Sequence, residues 1–151
     1  MPHDVGTQSQ QLNAMKLDPT YLYTSSRKVK DIPSVIALYK DAAALMRKKN
    51  GVGLAANQVG YNLRWFVWQH GMVINPSIGA CKKTIVSREG CLSFPGRTAN
   101  VLRAPAINVR YTDERGKPQE KRLVGLPAIV FQHEFDHING ICLFPQSKKK
   151  L

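Results

Sequence analysis

LPAIVFQHEFDHI, residues 126–138, reads as a helix that stops at Asn139-Gly140. Its core is QHEFDH, Gln132 to His137. His133 and His137 stand four residues apart, so on a helix both imidazoles share one face and can reach one metal ion. Glu134 is beside them, placed to take a proton from water at that ion. The blander reading is a pair of helix-surface histidines. Ile129, Val130 and Phe131 just upstream weigh against it, because histidines in an apolar setting need partners.

A catalytic metal site usually has three protein ligands and one position left for water. The third ligand does not follow the helix, since residues 138–151 contain no histidine and no acid. His3 and His70 are candidates, but His3 lies in the polar N-terminal stretch. Cys91, in Glu89-Gly-Cys-Leu-Ser93, is the better one. It closes a strand-like segment containing glycine, and a thiolate is a strong ligand for a soft divalent metal.

Working outward, Asp31 to Asn50 is expected to form an N-terminal helix, with Asp31 as cap and Pro33 in the first turn. Val35, Leu38, Tyr39, Ala42, Leu45 and Met46 give it one apolar face. GVGLAANQVG, residues 51–60, follows. It is apolar for a loop, and its small residues let a backbone approach a ligand closely. Strands are expected at Trp65–Trp68, Met72–Asn75 and Thr84–Ser87. Ile107–Thr112 and Gln119–Val124 alternate around Asp-Glu-Arg-Gly as a hairpin. The pattern is α+β: short antiparallel sheets packed around a central HExxH-bearing helix, with the N-terminal helix beside them. One domain is expected over 18–145, with a disordered tail over 1–17 and a basic tail over 146–151.

Composition sets the class. The chain has 151 residues, 43% of them apolar, enough for one domain with a core. No apolar run reaches the ~20 residues that cross a bilayer, and the first residues resemble neither a secretory nor an organelle-targeting signal. A cytoplasmic protein is expected. Three cysteines make a poor disulfide framework, and Cys81 and Cys142 are read as buried small apolar residues. Net charge is +12, which favours polyanions such as RNA through counterion release. No nucleic-acid-reading motif accompanies it, so sequence-specific binding is not expected.

GVGLAANQ, EGCLS and QHEFDH, in that order, resemble the three signature motifs of peptide deformylases. The likeness spans Gly51 to Gly140 and extends to the helix before it and to VINP at Val73–Pro76. It implies that Cys91, His133 and His137 are metal ligands and Glu134 the general acid/base. Gln58 and the Leu92 backbone N–H match the donors that hold the oxyanion. Gly53 and Gly90 belong to the peptide-binding backbone. Glu89 and Arg103 match an ion pair that steadies the cysteine loop. Val52, Leu126, Ile129 and Val130 are candidates for a methionine pocket, although each is equally a core residue by composition. The implied reaction is removal of the formyl group from the initiator formyl-methionine of nascent polypeptides, with release of formate. Cys plus two His would ordinarily suggest zinc. The resemblance implies Fe2+ as native ion, with Ni2+ or Co2+ as working substitutes and Zn2+ as a poor one.

The chain departs from the family in two places. Asn57 stands where many members have proline, which is expected to loosen the backbone before Gln58. The sequence stops at Leu151, eleven residues after Gly140. In this it resembles trimmed members encoded by some phages; whether helix-mediated ribosome docking survives is left open, and basic charge is a candidate route to ribosome contact. Two other readings remain. One is a different zincin-type peptidase, which has no need for Gln58 or the EGCLS cysteine. The other is a basic RNA- or ribosome-binding domain with a structural metal, which would want a fourth protein ligand.

Overall fold

The computed structural model describes residues 14–146. Two short helices, α1 (Ile32–Ile36) and α2 (Tyr39–Lys48), lead into β1 (Gly53–Ala55) and a 3-10 turn (Ala56–Gln58). Then come β2 (Trp65–Trp68), β3 (Gly71–Ile78), β4 (Ile85–Cys91), β5 (Phe94–Arg103), β6 (Ala106–Thr112) and β7 (Pro118–Val124), and last α3 (Leu126–Ile138). Five strands form one sheet in the order β1-β2-β3-β6-β7, and β4 and β5 form a separate two-stranded sheet. Every pairing between these strands is antiparallel, so the architecture is α+β, as the sequence pattern implies.

The large sheet is covered on both faces, and β2 shows why. Its sequence is WFVW, with all four residues buried. Trp65 and Val67 enter one core with Val35, Ala42, Leu45 and Met46 of α1 and α2. Phe66 and Trp68 enter a second core with Ala128, Val130, Phe131 and Ile138 of α3. A strand of period two can serve both only if it is apolar throughout. Phe131 is the hub of the second core: its ring centroid lies 5.1 Å from Phe66, 5.6 Å from Trp68 and 5.9 Å from Tyr111.

Gln132 fastens α3 in place. Its Oε1 accepts from the Ala104 N–H at 2.8 Å, and its Nε2 donates to the carbonyls of Ala104 and Ala128, each at 2.9 Å. A buried amide is tolerated because it is satisfied. With Phe131 and Gln132 turned into the protein, His133 is set toward the β4–β5 hairpin and Glu134 toward Gly53 of β1.

Several expectations are corrected. The helix expected over 31–50 is two, because the Leu38 N–H bonds back to Val35 and tightens the chain between Ile36 and Tyr39. β1 and β5 were not anticipated. PheProGly reads locally as a turn, and β5 is a strand because β4 supplies its ladder from Ile85↔Arg103 to Cys91↔Phe94. Cys81 is exposed rather than buried, and Cys142 is half-buried. The expected tails lie largely outside the described residues, but Met15 and Leu17 already pack against the first core. Among the described residues no helix is long and apolar enough to cross a membrane.

Candidate metal centre

Three elements converge between the two sheets. The middle of α3 brings His133, Glu134 and His137; the end of β4 brings Cys91; the 3-10 turn after β1 brings Gln58. The Cys91 Sγ and one ring nitrogen from each of His133 and His137 all lie within 4.8 Å of one another. Cys91 Sγ is 3.4 Å from His137 Nε2.

The two imidazoles sit in different electrostatic surroundings. His133 Nδ1 donates to Glu89 Oε1 at 2.7 Å, which leaves Nε2 as the free lone pair. Burial, helped by the neighbouring His133, lowers the His137 pKa to about 3, so this ring stays neutral. Burial also works against charge on His133, but the Glu89 hydrogen bond and nearby carboxylates outweigh it and its pKa is raised. The Cys142 thiol and burial push the Cys91 thiol up, so its proton must leave when a metal ion takes the sulfur.

Behind these groups runs a buried chain of charges. Arg103 is 1% exposed. Its Nε and Nη2 donate to the two Glu89 oxygens at 2.9 and 2.7 Å, and its Nη1 donates to Asp136 Oδ2 at 2.6 Å. A buried guanidinium is supportable only when its donors are met in this way. Burial alone would raise the Glu89 carboxyl, but Arg103 and His133 hold it at about 2.

Glu134 is prepared differently. It is 3% exposed, and its Oε1 has no hydrogen-bond partner. Burial raises its pKa to about 7, where a carboxylate exchanges a proton readily at neutral pH. A side chain on Gly53 would collide with the Glu134 carboxylate. The glycine therefore makes room for the acid as well as exposing backbone. Gln58 Oε1 accepts from the Ala55 N–H at 2.9 Å, which turns Nε2 toward Ser93 Oγ at 3.1 Å and Cys91 Sγ at 3.5 Å.

These groups open on a cleft of about 810 Å³. Val52, Gly53 and Gln58 line one side, and Glu89, Gly90, Cys91 and Leu92 the other. Leu126, Ile129, Val130, His133 and Glu134 come from α3. Val52 and Leu126 are 52% and 62% exposed, so they are cleft walls and not core, whereas Val130 serves both. Arg103 and His137 face a smaller cavity of about 110 Å³ behind the ligands, which Cys142 also lines.

The sequence did not single out Asp136 or Ser93. Asp136 lies inside the quoted HEFDH, yet only the fold brings it to Arg103. Asn57 does not loosen the turn before Gln58. It is fully buried, and its amide donates to the carbonyls of Leu22 and His137, tying the turn to the end of α3.

The Cys91 sulfur, which turns thiolate when a metal takes it, two imidazoles and an unpartnered carboxylate beside them fit a divalent metal ion with an adjacent water. A family model described as polypeptide deformylase matches residues 12–150. A peptide deformylase of Thermotoga neapolitana is 47% identical over 104 residues, 66% of this chain and 63% of that protein, so this chain spans less than two thirds of that relative's length. The crystal structure of peptide deformylase from Thermotoga maritima superposes with a TM-score of 0.80 at 36% identity, covering 86% of this chain and 95% of that one. A probable peptide deformylase from Synechococcus phage S-SSM7 gives 0.78 at 34% identity, covering 85% and 97%.

Proposed function

The chain belongs to the polypeptide deformylase family, and on that premise we propose that it hydrolyses the formyl amide of formyl-methionine at the start of nascent peptides. The observation that carries this is Glu134: a buried carboxyl raised to about 7, unpartnered at Oε1, at the floor of a cleft that also holds Cys91, His133 and Gln58.

Cys91, His133 and His137 would hold the ion. When bound, it would polarise the formyl carbonyl and acidify the water beside Glu134. The chain's own groups do the rest. Glu134 takes the proton as the water oxygen attacks the formyl carbon. Gln58 Nε2 and the Leu92 N–H donate to the formyl oxygen as negative charge grows there. Glu134 then gives its proton to the departing nitrogen, and formate and a free amine leave. β1 is the edge of its sheet, so an extended peptide can add to it, with Gly90 on the opposite wall. The methionine side chain lies against Val52, Leu126, Ile129 and Val130. Glu89 and Arg103 hold His133 in its ligand tautomer.

Fe2+ is the ion that the family likeness favours; the donor set also suits zinc, nickel and cobalt. The reaction takes place in the cytoplasm, of a bacterium or a phage-infected host. The net charge of +12 supports attraction to the RNA-rich ribosome surface where formylated chains emerge.

The test is formate release from a formyl-Met peptide by anaerobically purified, iron- or nickel-loaded protein, with an acetyl-Met peptide and Glu134→Gln alongside. Formate from the first alone supports the proposal. No formate from folded, metal-loaded protein removes it.

A further inference from the structure

The mouth of the cleft carries three cations, Lys49 at the end of the α2 segment, Arg88 on β4 and Arg97 on β5. All three are exposed. Among the described residues none of them is in an ion pair. The cleft's carboxylates do not offset them. Glu89 is committed to Arg103 and His133, and Glu134 is buried on the floor.

Arg97 is also held in place. Its guanidinium carbon lies 4.0 Å from the Phe144 ring centroid and 5.6 Å from that of Phe94, and the two rings are 5.1 Å apart. Stacking of this kind fixes the plane of the guanidinium and leaves its N–H edge for a carboxylate. An exposed lysine or arginine on an open surface gives little energy because it must be ordered first. A fixed one at the lip of a low-dielectric cleft gives more.

The substrate side complements this. A formylated amino terminus carries no charge, so the charges a bound peptide brings nearest the formyl group are those of the side chains just after methionine. We propose that Lys49, Arg88 and Arg97 make this chain select formyl-peptides with an acidic side chain in the first two positions after methionine and reject those with a basic one there. The inference rests on the deformylase reading above. The same positive field opposes the ammonium group that hydrolysis creates, and so favours departure of the product.

The test uses the metal-loaded full chain and C-terminally amidated peptides, so that no terminal carboxylate intervenes. Formyl-Met-Glu-Ala-Ala, formyl-Met-Ala-Glu-Ala and their Lys counterparts are compared with formyl-Met-Ala-Ala-Ala. The expected result is kcat/KM about tenfold higher for Glu than for Lys at one or both positions, carried mainly by KM and shrinking as salt rises. The Lys49→Glu/Arg88→Glu double variant should invert the order. Equal rates for Glu and Lys peptides, with all of them hydrolysed, overturn this inference and leave the deformylase reading standing. A preference for Lys does the same. No formate from any peptide overturns both.

Discussion

Glu89 Oε1 lies 2.7 Å from His133 Nδ1, and the same oxygen accepts from Arg103 Nη2 at 2.7 Å. One carboxylate thus orients a candidate metal ligand and neutralises a buried cation. Glu89→Gln keeps one oxygen for both, but it sets an NH2 group against Arg103 Nε and removes the negative charge. Metal affinity should fall about 10- to 100-fold, and stability by about 3 kcal/mol because the buried Arg103 keeps only Asp136 as a charge partner. Metal content after dialysis against a chelator, read beside a urea titration, checks both.

Glu134→Gln should behave in the opposite way. The carboxyl is buried and unpartnered at Oε1, so an amide there is not destabilising for want of charge. Formate release should drop by at least about 100-fold, while metal content and melting temperature stay near wild type. Loss of metal together with activity would move Glu134 from proton carrier to structural support.

Gln58→Ala removes the proposed oxyanion donor and also the hydrogen bond from the Ala55 N–H. The expected cost is about 100- to 1000-fold in kcat with little change in KM. A KM effect alone would assign Gln58 to binding rather than to the transition state.

Gly53→Ala tests the close approach to Glu134. The added methyl meets the carboxylate and cannot be accommodated without moving it. Activity should fall at least tenfold, with the methionine preference intact. Wild-type rates would mean that the strand shifts freely.

Asp113 offers a pH test away from the metal. Burial would raise its pKa, but the Lys117 amide, the Gln119 side chain and Arg115 donate to it and hold it at about 2. A depressed folded pKa contributes stability above the unfolded value near 4, and that contribution is lost as pH falls toward 2. In Asp113→Asn the melting temperature should be lower at pH 7, and the gap to wild type should close across that window. A gap that persists at pH 2 would overturn this.

What the sequence revealed follows from range. Spacing of four on a helix is a local fact, so His133, Glu134 and His137 were readable, and α3 lies where its pattern put it. Cys91 and Gln58 were readable because each sits in its own short motif. Asp136 and Asn57 were not, since their partners, Arg103 and the His137 carbonyl, are 33 and 80 residues away. β5 was missed for a related reason. Its proline, glycine and polar residues have no strand preference of their own, and it exists because β4 lies beside it.

The two-stranded sheet shares no ladder with the five-stranded one. Across that seam run the Glu89–His133 and Arg103–Asp136 contacts, and the cysteine and histidine ligands come from its opposite sides. A bound ion would therefore act as a rivet between two separately laddered units. Stripping it should loosen the β4–β5 hairpin first, seen as faster amide hydrogen exchange there while β2 and β3 stay protected. Metal loading and the docking of the hairpin on α3 would then be read out by the same exchange rates.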